Sequence, residues 1–323
     1  MSMSTATKVW LIVAASLVLV GCMIFGGVMV AMHWDFTKLS TNKYETNEHK
    51  IEEDFDHISI VISTADIVIM PSEDETSSVV CHELEKVKHS VTVQDGTLTV
   101  DVDDTRKWYE HIGINWGTPK VTVYLPKEAY GSLRIKSSTG DVEIPKDIKL
   151  DSIDVTATTG DVRCNASAEQ DIRIKTSTGR IDVTNVSADT IDLSVTTGRV
   201  SVSNAVCEGD VSISVSTGRA SVSDVKCQNL TSTGDTGDIL LTQVVASKTF
   251  SIERDTGDVR FKGCDADEMV IVTDTGDVTG TFLSDKVFIY KTDTGDVDLP
   301  RTQSGGRCDI TTDTGDIRIS IRP

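Results

Sequence analysis

Aromatic side chains make up only 5% of this 323-residue sequence, and proline and histidine occur six times each. So little aromatic surface argues against a stacking-driven ligand pocket. The histidines stand at 33, 49, 57, 82, 89 and 111, so no imidazole is present beyond residue 111 to act as a catalytic base. The seven cysteines contain no CxxC pair, which weighs against a zinc or thioredoxin-like site. Basic residues are short as well, 31 against 50 acidic ones for a net charge of -19. That balance repels phosphate backbones, excludes nucleic acid as a favoured partner and points to a cationic partner or surface. Nucleophile, base and oxyanion donors nowhere appear together, so the expectation is a protein that is not an enzyme and needs no cofactor.

Charge is missing altogether from Val9 to Met32. A helix of 24 such residues is about 36 Å long, enough to cross a ~30 Å hydrocarbon layer. Lys8 before it favours an N-inside orientation, with the remainder extracytoplasmic. A cleaved signal peptide and a lipoprotein box at Leu19-Val20-Gly21-Cys22 are the rival readings. The apolar run outlasts both, which favours an uncleaved anchor. The expected organisation is a cytoplasmic N-terminus at 1–8, a transmembrane anchor at 9–32, a polar stalk at 33–50, irregular β coils with a cap at 51–130, and a regular solenoid at 131–323.

Past the stalk the hydrophobic period becomes two. Ile58–Ile62, Asp66–Ile69, Ser90–Val93, Thr97–Val100 and Lys120–Tyr124 read as strands, with Asp95-Gly96 as a tight turn. No segment outside the anchor reads as an amphipathic helix.

Thr-Gly pairs then recur ten times, with Gly at 140, 160, 179, 198, 218, 237, 257, 276, 295 and 315. Apolar residues stand seven and five before most of these glycines, as Ile172 and Ile174 do, and two and four after, as Ile181 and Val183 do. Each unit is therefore two short alternating strands around a turn, followed by a second corner such as Asn185–Ala188. Units of 19 or 20 residues cannot close a core alone, so successive units must stack. The fold class is all-β, a β-solenoid of 19–20-residue coils behind one transmembrane helix, with its ten regular coils spanning about 43 Å at ~4.8 Å per step.

Stacking turns repeat positions into ladders. Two before the glycine the later units carry Asp235, Asp255, Asp274, Asp293 and Asp313; one after it they carry Asp238, Asp258, Asp277, Asp296 and Asp316. Oxygen ligands from adjacent coils suit Ca²⁺, so these ten carboxylates are the candidate metal residues. The competing reading is turn chemistry, because Ser and Thr replace Asp at the first position and share an oxygen able to accept a backbone N–H. Arg180, Arg199 and Arg219 replace Asp at the second position, which places Arg180 against Asp161 and Arg219 against Asp238 as surface pairs.

Cys207 and Cys227 share one repeat position with Ala188 and Ala246, a placement that fits stacked free thiols or a disulfide between coils. Cys81, Cys164, Cys264 and Cys308 read as core. Ser232 and Gly234 thin the core of the sixth unit. Trp108, Tyr109, His111 and Trp116 crowd the insertion 104–118, read as a cap over the first coil or as a partner contact. Arg318–Pro323 leaves the last coil without an evident cover, open to pair with another chain.

An N-terminal apolar segment, Trp34-Asp35-Phe36, the E-x-F-x-x-I-x-I run from Glu53 to Ile60 and the recurrent T-G-D-V motif resemble the bacterial putative-adhesin family of β-strand-repeat proteins, domain of unknown function 4097. The chain is similar in particular to LiaG-like membrane-anchored members from Gram-positive bacteria. The resemblance implies a cell-envelope setting, an association with envelope stress, and a binding or scaffolding role without catalytic residues.

Overall fold

The computed structural model describes residues 5–34, 43–106 and 117–322. Most of the aromatic insertion, including Trp108, Tyr109, His111 and Trp116, lies outside the described residues, as do residues 35–42 of the polar segment. Thr5–Ala31 forms one α-helix, and Thr7–Ala31 has a mean hydropathy of 2.6, long and apolar enough to cross a membrane.

The rest is a β-solenoid of stacked parallel coils. In the Gly179 and Gly198 coils the register pairs Ile172 with Ile191, Ile174 with Leu193, Gly179 with Gly198, Ile181 with Val200 and Val183 with Val202. Like therefore lies on like. Except in the ninth unit, where Tyr290 is exposed, the apolar ladders seven and five before the glycine and two and four after it line the interior, and fully burying such a side chain contributes about 1.5–3 kcal/mol. The second corner is also as expected. Asn185, Asn204, Asp224 and Gln243 adopt φ values of 51–57° six residues after the glycine, and Gly263 takes 63° there. Small residues then complete the inner wall, with Ala188, Cys207, Cys227 and Ala246 all buried.

Cys207 and Cys227 are free thiols, which decides between the two readings of that position. In the sixth unit the gap left by Ser232 and Gly234 is filled from the next coil. Arg254 is buried, donates to Ser232 Oγ at 2.8 Å, and its Nη1 lies 2.5 Å from where a Cβ on Gly234 would stand. Burial lowers the guanidinium to about 10, with Asp235 opposing the shift.

Coils do not stack wholly in chain order, contrary to the simple reading of the repeat. Glu268–Thr275 of the eighth unit pairs with Gly306–Thr314 of the tenth, which pairs on its other side with Lys286–Thr294 of the ninth. The last coil in sequence is thus interior, and the ninth forms the end. Arg318–Ile321 is accordingly not an open edge: Ile317–Ile321 lies between Val278–Phe282 and Val297–Asp298. The other end repeats the device. His57–Thr64 lies between Ala129–Thr139 and Thr97–Asp104, and Asp66–Pro71 between Val142–Ile144 and Lys120–Leu125.

Beyond Thr97–Asp104 and Lys120–Leu125 the pairing becomes antiparallel. Val87–Gln94 pairs with the first and Ser77–Leu84 with the second, and Tyr44–Ile51 continues outward. These strands cover the first coil. Residues 44–50 form strand and not the expected stalk: their inner face is polar, Glu45, Asn47 and His49, so burial alternates where hydrophobicity does not.

Candidate functional site

The Thr-Gly corners stack into a ridge along the solenoid. Its glycines hold φ between 129° and 159°, and a Cβ on any of them would fall 1.6–2.2 Å from a carbonyl oxygen of the neighbouring coil. Only glycine permits the backbones to approach this closely. Threonines three residues before the glycine reinforce the corner: Thr273 Oγ1 donates to the Gly257 carbonyl at 3.2 Å and Thr312 Oγ1 to that of Gly276 at 3.1 Å.

The two aspartate columns differ in role. Position one after the glycine is the acceptor: Asp238 Oδ1 takes the Asp258 backbone N–H at 3.2 Å, Asp258 Oδ1 that of Asp277 at 2.9 Å, Asp277 Oδ1 that of Asp316 at 2.8 Å, and Asp316 Oδ1 that of Asp296 at 2.7 Å. Turn chemistry therefore sits on this column, whereas the sequence reading assigned it to the other. Asp235, Asp255, Asp274, Asp293 and Asp313 are exposed, and among the described residues none of them accepts a backbone N–H. Lys291 pairs with Asp293 at 3.3 Å. Arginine already faces several acceptor carboxylates. Arg260 reaches Asp238 at 3.4 Å and Asp258 at 2.5 Å, and Arg318 reaches Asp316 at 2.6 Å.

Between Asp161 and Asp238 the ridge changes sign. Arg180, Arg199 and Arg219 stack over Gly179, Gly198 and Gly218 and line an open groove of about 850 Å³ with the adjoining threonines. The two pairs expected at its ends are present, Arg180 with Asp161 at 3.0 Å and Arg219 with Asp238 at 3.4 Å. Arg199, between them, is exposed and has no carboxylate within ion-pair distance among the described residues. The chain runs through the Gly179, Gly198 and Gly218 corners as continuous strand, and Asp161 Oδ1 still accepts the Arg180 backbone N–H at 2.9 Å at the first of them.

The four cysteines read as core are buried, and burial pushes the Cys164 and Cys308 thiols up to about 12. Cys81 has a further neighbourhood that the sequence reading missed. With Glu83 and His89 it forms a buried group whose ligand-capable atoms lie within 4.8 Å of one another. The signal was the alternation Cys81-x-Glu83 just before a tight turn, with His89 on the return arm.

The model of the Toastrack DUF4097 family matches residues 55–214 and 206–323. The chain belongs to this family. No match is found among curated proteins. Among crystal structures, a "Putative lipid binding protein" from Parabacteroides distasonis ATCC 8503 is similar at TM-score 0.50 and 16% identity, over 87% of this chain and 98% of its own. That likeness shows the shared fold. A "putative adhesin" from the same strain aligns at TM-score 0.49 and 13% identity, covering 87% and 98% of the two chains. Another "putative adhesin", from Bacteroides fragilis NCTC 9343, aligns at TM-score 0.43 and 14% identity, covering 86% and 97%. Within this Toastrack chain the arginine interruption stands at the centre of the repeat array, in its third, fourth and fifth units.

Proposed function

We propose that this Toastrack protein is a non-catalytic binding rod of the bacterial cell envelope, held by its N-terminal helix with the solenoid outside the cytoplasm, and serving an adhesin-like or scaffolding role in the response to envelope stress. The observation that carries the reading is the Arg180, Arg199, Arg219 groove on an otherwise acidic ridge. Three arginines on coils about 4.8 Å apart suit a surface that repeats its anionic groups, so the local charge of this groove replaces the cationic partner that net charge alone suggests. Arg199, unpaired at the centre, supplies the free positive charge. The acidic flanks at Asp161 and Asp238 limit the length of anion that fits and suppress indiscriminate polyanion binding.

The test is made with cells. Protease added outside intact cells should digest the β domain, and the purified full chain in detergent should be retained by envelope fragments. The triple variant Arg180→Ser, Arg199→Ser, Arg219→Ser should keep its melting temperature, because the side chains are exposed, and lose retention by about tenfold or more. Undiminished retention by that variant, or a solenoid protected from external protease, overturns the reading.

Calcium binding by the DTGD turns is the second reading, supported by the exposed column Asp235, Asp255, Asp274, Asp293 and Asp313. It expects millimolar Ca²⁺ to raise the melting temperature of the wild type. Replacing each of these five aspartates with Ser should abolish the shift while leaving the acceptor column intact. A wild type indifferent to Ca²⁺ sinks it.

A further inference from the structure

We propose that Cys81 and His89, with Glu83 positioning the imidazole, bind a single Zn²⁺-class ion inside the antiparallel cap. Ser77–Leu84 turns Cys81 and Glu83 to the same inner face, and Val87–Gln94 returns His89 beside them. The three residues are 0%, 1% and 5% exposed, and their ligand atoms lie within 4.8 Å of one another. Tetrahedral zinc, with bonds of about 2.0–2.3 Å, spaces its ligand atoms about 3.3–3.8 Å apart, so atoms now within 4.8 Å of one another would close by at most about 1.5 Å.

An independent observation points to a ligand. His89 Nδ1 stands 2.6 Å from Glu83 Oε2, and a carboxylate only accepts, so Nδ1 carries a proton. In the neutral ring Nε2 is then a bare lone pair. It is buried and has no hydrogen-bond partner. Leaving such an atom unpaired is unfavourable, and a cation relieves it. His49 Nε2, on the inner face of the neighbouring strand, is a second buried imidazole nitrogen without a partner. The cap therefore holds two of the three such side-chain atoms among the described residues.

The surroundings are built to hold this arrangement. Glu83 Oε2 also accepts the His89 backbone N–H at 2.7 Å, and Glu83 Oε1 accepts from Asn47 Nδ2 at 2.7 Å. A carboxylate bonded to the far nitrogen of a metal-binding histidine is the usual means of fixing its tautomer. Lys88 pairs with Glu45 and lies 3.8 Å from Glu83 Oε1, and the two opposite charges cancel. The Cys81 thiolate and the Glu83 carboxylate behind His89 together balance a divalent ion, with the thiol proton released as the metal binds. A sulfur and nitrogen donor pair selects zinc-class ions over Ca²⁺ or Mg²⁺. Bound metal would fasten the two strands Ser77–Leu84 and Val87–Gln94, which pair with each other directly only at Leu84 and Val87.

The test uses the full chain in detergent, stripped of metal and titrated with Co²⁺ and then Zn²⁺. Expected are one equivalent of Co²⁺, a thiolate-to-cobalt charge-transfer band that Zn²⁺ bleaches, and a raised melting temperature. Cys81→Ser should remove the band, Cys207→Ala should leave it, and Glu83→Gln should weaken uptake by about 10–100-fold. Absence of the band in wild type, its persistence in Cys81→Ser, or full uptake by a His89→Gln variant whose circular dichroism shows it folded overturns the site.

Discussion

Deleting residues 306–323 should melt two coils rather than one. Gly306–Thr314 is hydrogen-bonded to the eighth unit on one side and the ninth on the other, and it buries Cys308 and Ile310 while the next strand buries Ile317 and Ile319. Without it Lys286–Thr294 loses its only strand partner among the described residues, and Phe282 and Met269 lose their cover. The expected loss is on the order of 10 kcal/mol of local stability. Limited proteolysis should then cut between residues 283 and 305. Excising 286–305 instead removes the outermost coil. Gly305 already lies against Asp285, and Lys286 and Gly306 are register partners, so joining Asp285 to Gly306 leaves the tenth coil where it stands. That variant should remain resistant to protease near its C-terminus. Equal proteolytic patterns for the two deletions would contradict the interleaved order of the ninth and tenth coils.

Gly218→Ala is expected to cost at least ~4 kcal/mol, a size reserved for a few mechanisms such as backbone strain and steric overlap. At φ 140° its Cβ would stand 1.7 Å from the Gly198 carbonyl oxygen. That obstacle is backbone, held by strand pairs on both sides, so no side-chain rotation relieves it. Gly96 is the control. It also has a positive φ, 70°, but nothing lies within 4 Å of its Cβ position, so Gly96→Ala should cost only about 1 kcal/mol of conformational strain. Urea denaturation of the two variants compares them, and similar midpoints would show that the ridge is looser than its geometry indicates.

The regular coils were legible because every rule agrees there. The alternation of apolar positions, the turns at the glycine and six residues later, and the small residues that complete the inner wall all repeat on one period. The thin spot at Ser232 and Gly234 was visible as a defect, but its repair by Arg254 was not, since an arginine at an inward position looks like a break in the pattern until the empty space beside it is known. The antiparallel strand Tyr44–Ile51 was hidden for the opposite reason: polar residues occupy its buried face. The Cys81, Glu83 and His89 group escaped notice because its members appeared as one apolar-position cysteine, one acid and one scattered histidine.

The sequence alone thus determined a solenoid of Thr-Gly coils, its arginine interruption, and a helix long and apolar enough to cross a membrane, because these depend on local period and composition. Tertiary structure decided the order of coils at both ends, the antiparallel cap and the role of each aspartate column. Units nine and ten present the same alternation to their neighbours, so local pattern fits either order. What separates the two is which backbone edges are satisfied by partners and which inward side chains find a matching layer, quantities that exist only once the whole stack has formed.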